Sequence, residues 1–271
     1  MGSTSAGMQI TKETRALVTG ANGGIGQAIA RALHAAGATV VVTGRRADAL
    51  QPLADAIGAR VVVADLGDRG SVARCMEEAG PLDVLVANAA LPSSGPLLEF
   101  APDQIDRSLD VNLRAPIMMA RAAVPGMLER GRGQIVFISS ISGKVAGPGT
   151  SLYSATKFGL RGFSLGLRED LYGTGVGVTT IFPGFIRDAG MFADTKVQLP
   201  RGAGTRSPED VADAVLRAIR DDPAEITVAA IEQSLGALLA GVSHPLVASM
   251  QRMLGGAKIA AEIAAAQAHR R

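Results

Sequence analysis

The chain is poor in the groups that build cross-links and metal centres. It has one cysteine, Cys75, so no disulfide can form within it, and a lone thiol suits a reducing compartment. Its three histidines, His34, His244 and His269, lie far apart and none has a ligand-like neighbour, which leaves no metal motif. Tryptophan is absent and aromatics make up only 3% of the residues, so the core must be packed mainly with aliphatic side chains. A marked excess of either charge is missing too. The 27 basic and 25 acidic residues are scattered and sum to +2, with no basic run or aromatic interleaving to mark a nucleic-acid surface. No uncharged apolar run reaches the roughly 18 residues that span a bilayer. Residues 1–14 are polar and lack the apolar centre of a signal peptide, so a cytoplasmic protein is the expectation.

What the 271 residues do contain is 47% hydrophobic side chains and 33 glycines, enough for a sizeable core with many tight turns. Residues 15–19 read as a short apolar strand, followed at once by glycines and by a helical pattern over 25–36. Further strands are expected at 38–43, 60–64, 82–87, 134–139, 176–182 and 225–228. Helices are expected at 47–57, 102–130 and 151–172, and from Ser207-Pro208, where a capping serine precedes a proline at the first helical position. Pro116 and Pro125 should break or kink the long helix, while Gly159, Gly162 and Gly166 should let the next one pack closely. Apolar strands alternating with helices point to one parallel sheet covered on both faces.

Nothing divides residues 15–230, which read as a single α/β domain behind the polar segment 1–14. Beyond it, 231–271 turns all-helical, with Leu235, Leu238, Leu239 and Val242 on one face, then Leu246, Met250, Met253 and Leu254. Such stripes need a partner surface, either this domain or a second subunit. Arg252 and Lys258 supply too little basic face to favour a membrane surface.

Two stretches carry chemistry. The first, Thr19 to Gly26, has the spacing Gly-x-x-x-Gly-x-Gly between a strand and a helix. Glycines there let the backbone approach a pyrophosphate, and the helix N-terminus favours the anion. The second runs from Ser139 to Lys157. Tyr153 and Lys157 stand four apart on one helical face, and an ammonium beside a phenol is expected to lower its pKa towards neutrality. That would fit Tyr153 for general acid–base work, with the Ser140 hydroxyl aimed at the same reacting oxygen. At the end of the second strand, Gly44-Arg45-Arg46 offers two guanidiniums and no carboxylate, which favours the 2′-phosphate of NADP, with NAD as the alternative.

Together, the motif at 19–26, Asn88-Ala89-Ala90, Asn112, Ser140, Tyr153 with Lys157, and Pro183-Gly184 follow the order and spacings of the short-chain dehydrogenases/reductases. Residues 15 to about 230 resemble a compact member of that family. The resemblance implies a doubly wound, Rossmann-type sheet and hydride transfer between a nicotinamide cofactor and a ketone or secondary alcohol. It implies that Tyr153 is the acid or base and that Ser140 bonds the reacting oxygen. Lys157 would bind the nicotinamide ribose and depress the phenol, and Asn112 would position a proton-relaying water. It sets Gly20, Asn22, Gly23, Gly24, Ile25 and Gly26 against the phosphates and Asp65-Leu66 at the adenine edge. Asn88, Ala89, Ala90, Pro183, Gly184, Ile186 and Asp188 would line the rest of the cofactor. Two positions depart from the family pattern: Ala90 replaces a usual glycine, and Asp188 stands where a threonine often bonds the carboxamide.

The segment 189–205 falls where the family has a mobile lid. Leu91, Val145, Met191 and Phe192 are expected to form an apolar pocket, with Lys144 and Arg187 the candidate charged clamps. The implied substrate is a neutral, largely apolar small molecule. Pairing through the long helix and the 151–172 helix is usual in the family, so a homodimer or homotetramer is expected. A cofactor-sensing binding protein with little turnover is the competing reading, and the complete set of Ser140, Tyr153, Lys157 and Asn112 argues against it.

Overall fold

A computed structural model describes residues 7–188, 190–195, 197, 204–243, 249 and 256–268. Seven strands form one sheet: β1 (Arg15–Thr19), β2 (Thr39–Gly44), β3 (Arg60–Val63), β4 (Val84–Ala87), β5 (Gly133–Ile138), β6 (Val176–Pro183) and β7 (Glu225–Val228). Their order is β3-β2-β1-β4-β5-β6-β7, and every pairing is parallel. The central strands β4, β5 and β6 are buried along their whole length, as expected where helices cover both faces.

One face carries α1 (Gly24–Ala35), α2 (Ala47–Ile57) and α7 (Pro208–Asp221), whose Ile29, Leu33, Leu50, Val211, Val215 and Ile219 pack on β1 and its neighbours. The other carries α3 (Arg69–Ala79), α5 (Ala115–Arg130) and α6 (Ser151–Asp170), joined through Met76, Met119, Met127 and Leu160. Ser207 caps α7 as its sequence indicates: its hydroxyl accepts from the Asp210 N–H, and the Asp210 carboxylate accepts from the Ser207 N–H. The chain switches direction between β1 and β4, and the groove at the carboxyl ends of those strands is where an open parallel sheet binds ligands.

Three local expectations need correction. The helix α3 was not expected, although Asp68 caps it by accepting from Gly70 and Ser71. The long helix is interrupted just before Pro116, as expected, but runs on through Pro125. Between α4 (Pro102–Leu109) and α5 lies a π-helical turn at Asp110–Arg114; Pro116 sits in the first turn of α5 and Pro125 within it. Gly159 packs closely, since a Cβ there would lie 3.2 Å from Leu113, whereas Gly162 and Gly166 have nothing within 4 Å.

The extension begins with α8 (Ile231–Val242), and α9 (Gly256–Gln267) follows. Gln233 of α8 accepts from the Phe185 N–H and donates to the Gly204 carbonyl, tying the extension to the loop after β6. The expected contacts of His244, Leu246, Met250, Arg252, Met253, Leu254 and His269 lie outside the described residues. Among the described residues no helix is long and apolar enough to cross a membrane, and no cluster of His, Cys, Asp and Glu could hold a metal.

Candidate active site

The glycine loop is shaped by contacts that exclude side chains. Gly20 has φ +64, and a Cβ on it would lie 2.8 Å from Ala89 Cα; one on Gly26 would lie 2.5 Å from the Gly20 carbonyl oxygen. Thr19 holds the opposite rim, its hydroxyl accepting from the Asn88 and Ala89 N–H groups at 2.9 Å each. The Asn88 amide in turn donates to the Thr19 carbonyl at 2.8 Å. No side chain caps α1, whose first turn lies along the groove, so its N–H groups are left for an anion.

This groove, of about 950 Å³, runs past Gly20, Asn22, Gly23, Gly24, Ile25 and Gly26 and along Asn88, Ala89 and Ala90. Arg45 and Arg46 stand exposed at its far end, beside Asp65 and Leu66. Asp188 also borders it, held at φ +67 with its carboxylate 3.2 Å from the Arg187 guanidinium. A dinucleotide fits these features: a bare helix N-terminus for the pyrophosphate and cations at one end for a further phosphate.

Arg107 was not anticipated. It reaches from α4 to Asp65, with N–O distances of 2.9 and 3.1 Å, and lines the groove. Burial pushes the Asp65 carboxyl up. The Gly67 N–H, Arg107 and, more weakly, Arg45 outweigh that, so its pKa ends below the ordinary carboxylate value. A single arginine on a polar helix face carries no signal in the sequence that would single it out.

Ser140 follows β5, and Tyr153 and Lys157 lie in the first two turns of α6; all three line one cavity of about 410 Å³. The expected acidification of the phenol is not found. Burial pushes Tyr153 up to about 12, and its hydrogen bond with Ser140 offsets only part of that. Lys157 is 1% exposed, and burial brings its ammonium down to about 8. Its Nζ donates to the Ile138 carbonyl at 3.0 Å and lies over the Tyr153 ring, 5.6 Å from its centroid.

Asn112 occupies the π-helical turn and is 1% exposed. Its Oδ1 accepts from the Leu91 N–H at 2.7 Å and its Nδ2 donates to the Leu91 carbonyl at 2.9 Å. The carboxamide therefore holds the loop after Ala90 in place.

The cavity is walled mainly by apolar groups, including Val145, Phe185, Met191, Phe192 and Ile263, with Pro183, Gly184 and Ile186 beneath. The Phe185 and Phe192 rings meet at a 44° tilt with centroids 4.6 Å apart. Leu91 borders the groove instead. Lys144 is not a clamp: its Nζ lies 2.8 Å from Glu225, which also pairs with Arg161 at 2.6 Å. Arg187 is exposed and paired with Asp188. Of the expected lid, Met191, Phe192 and the turn Ala193–Thr195 are described, whereas 189, 196 and 198–203 lie outside the described residues. The far wall comes from α9, through Ala260, Ile263 and Gln267.

Comparison with known proteins agrees with this geometry. Residues 14–199 match the short chain dehydrogenase family model. The ketoacyl reductase HetN of Nostoc sp. is 34% identical over 248 residues, covering 88% of this chain and 86% of its own. Among solved structures, a serine dehydrogenase complexed with NADP+ is 31% identical with a TM-score of 0.72, covering 81% of this chain and 96% of its own. A 3-oxoacyl (acyl-carrier-protein) reductase from Agrobacterium tumefaciens with NADP bound has a TM-score of 0.74 at 28% identity, covering 81% and 93%. A glycine cradle opening onto a buried Ser140–Tyr153–Lys157 cavity, on a sheet shared with these proteins, identifies the chain as a member of the short-chain dehydrogenase/reductase family, an NAD(P)-dependent oxidoreductase of the CH–OH/C=O couple.

Proposed function

We propose that the enzyme reduces a neutral, largely apolar ketone with NADPH, using Tyr153 as the proton donor. The observation that carries this reading is the continuity of a cationic-ended dinucleotide groove with an apolar cavity whose reactive groups are Ser140 and Tyr153. When bound, the nicotinamide supplies the hydride. Gly20, Gly23, Gly24, Ile25 and Gly26 receive its pyrophosphate, with Asn22 beside them. Arg45 and Arg46 receive the 2′-phosphate, and Asp65 with Leu66 borders the adenine. Asn88, Ala89, Ala90, Pro183, Gly184, Ile186 and Asp188 flank the remainder, and Lys157 takes the ribose.

Tyr153, held near 12, is fully protonated at neutral pH. It can therefore give its proton to the carbonyl oxygen as negative charge develops there. Ser140, already bonded to Tyr153, supplies a second preorganised donor to that oxygen. Lys157 sits behind the phenol and offers a cation, at neutral pH, to the phenolate left by the transfer. Asn112 maintains the Leu91 loop beside the groove. The named ketoacyl and 3-oxoacyl reductases among its relatives support a ketone, and the NADP-bound neighbours support the phosphorylated cofactor.

The exposed Phe158 and Leu165 on α6, with open space at Gly162 and Gly166, support burial of that helix between subunits of a homodimer or homotetramer. The single thiol, Cys75, supports a cytoplasmic enzyme, and the scattered, nearly balanced charge supports the reading that it has no nucleic-acid partner.

The test is NADPH oxidation across ketones by the wild type and Tyr153→Phe. Loss of the proton donor should lower kcat by about 10²- to 10⁴-fold while NADPH still binds. Equal turnover would remove Tyr153 as the acid. Cofactor binding without turnover of any carbonyl by the wild type would favour the sensing protein instead. In the same assay Arg45→Asp should weaken NADPH by about tenfold or more and leave NADH nearly unchanged; an unaltered preference would reassign the 2′-phosphate.

A further inference from the structure

Arg45 and Arg46 stand exposed on the nucleotide groove, and neither makes an ion pair or a hydrogen bond among the described residues. The Asp65 carboxylate lines the same end of the groove. A free carboxylate there would act against a phosphate in two ways. It would repel the phosphate, and it would offer the exposed guanidiniums a partner of its own. Asp65 is not free. Its Oδ2 accepts from Arg107 Nη2 at 2.9 Å, and its Oδ1 accepts from the same nitrogen at 3.1 Å and from the Gly67 N–H at 2.9 Å. Arg107 arrives from α4, forty-two positions away in the chain, and passes close to Gly67, where a Cβ would lie 2.8 Å from its Nη1. The Arg45 charge also favours the ionised Asp65, though more weakly than Arg107 does, so the carboxylate and Arg45 feel each other.

We propose that Arg107 is a positioning residue for cofactor choice: by holding and neutralising the Asp65 carboxylate, it leaves Arg45 and Arg46 free for the 2′-phosphate. The proposal rests on the reading of this groove as an NADP site, and it assigns part of the selectivity to a residue that need not touch the phosphate. Without Arg107 the carboxylate turns to the next cation, Arg45, and its uncompensated charge repels the phosphate as well. NAD+ carries a hydroxyl in place of that phosphate, so it gains little from a cleared pair of arginines. The Arg107 and Asp65 side chains are 37% and 41% exposed. A pair so open to water contributes little to folding, and its removal should leave the fold intact.

The test is calorimetric titration of NADP+ and of NAD+ into the enzyme. Wild type is compared with Arg107→Met, with Arg107→Lys and with the double variant Arg107→Met, Asp65→Asn; Arg107→Gln replaces Arg107→Met should the latter fail to fold. Arg107→Met is expected to weaken NADP+ about fivefold and to leave NAD+ almost unchanged. Arg107→Lys keeps the charge and should retain most of the affinity. The double variant should recover NADP+ binding, because it also removes the charge that Arg107 answers. A loss that persists in the double variant would overturn the proposal and mean that Arg107 meets the phosphate directly. An equal loss for both cofactors would show a merely structural contact and would overturn it too. A wild type without preference for NADP+ would sink the NADP reading together with the proposal, whereas a wild-type preference untouched by Arg107→Met would sink the proposal alone.

Discussion

Lys157 carries a single formal charge into a site where it is 1% exposed, and its ammonium is held by the Ile138 carbonyl at 3.0 Å. Spacing in the sequence identifies the Tyr153–Lys157 pair but says nothing of how deeply each is buried. That is why the expected acid phenol turns out to be a weakly acidic one. The two depressed or raised values have consequences for stability. With a folded value of about 8 against 10.5 in water, Lys157 resists protonation in the native state. Between those pH values the unfolded chain binds more protons, so stability rises with pH across that window. Below pH 8 the full penalty is present, on the order of 3 kcal/mol. Lys157→Met should therefore be more stable than wild type at pH 7, with an advantage that shrinks as pH rises from 8 towards 10.5. Urea unfolding of both proteins at pH 7 and 9.5 checks this; an advantage that stays constant or grows would contradict the burial argument. The comparison belongs below pH 10, because Tyr153, raised to about 12, acts in the opposite sense above that.

At the scale of elements, the sheet was legible because each strand is a short apolar run bounded by glycine or polar residues, and the ends of β1, α2 and β7 fall where the pattern ends. Two helical features were not. The α3 stripe of Val72, Cys75, Met76 and Ala79 has the right spacing, but Gly70 and a charged opposite face mask it. The π-helical turn carries a long-range contact, in which Asn112 gives both ends of its amide to Leu91, twenty-one positions earlier. Pro116 marks the region where the helix loses a hydrogen bond, but not the loop that Asn112 binds. The same reasoning explains Lys144. It was a candidate charged clamp for the pocket, yet β7 brings Glu225 and Thr227 against it, with Nζ 2.8 Å from one and 3.1 Å from the other. Burial raises the Glu225 carboxyl, but Arg161 and Lys144 more than offset it, so the group stays ionised and the lysine stays engaged.

Across the whole molecule, the parts divide by function. The sheet from β1 to β7 and its covering helices build the groove, and the family match covers 14–199 of that frame. The cavity is completed from outside this stretch. The stripe of Leu235, Leu238 and Leu239, expected to be covered, stays exposed on α8; it is α9 that reaches the cavity wall and lies against the turn Ala193–Thr195. If the frame binds cofactor and the extension closes over substrate, removing α9 should separate the two. Deleting residues 256–271 leaves every strand intact, so NADPH affinity should stay within about twofold. The cavity would lose Ala260, Ile263 and Gln267, and the Met191 carbonyl its donor. Burial of even one isoleucine-sized group contributes about 1.5–3 kcal/mol, so KM for an apolar ketone should rise at least about tenfold. Steady-state kinetics beside a cofactor titration decide the matter. An unchanged KM would mean that substrate never touches α9, and a parallel loss of NADPH binding would mean that the extension supports the frame as a whole.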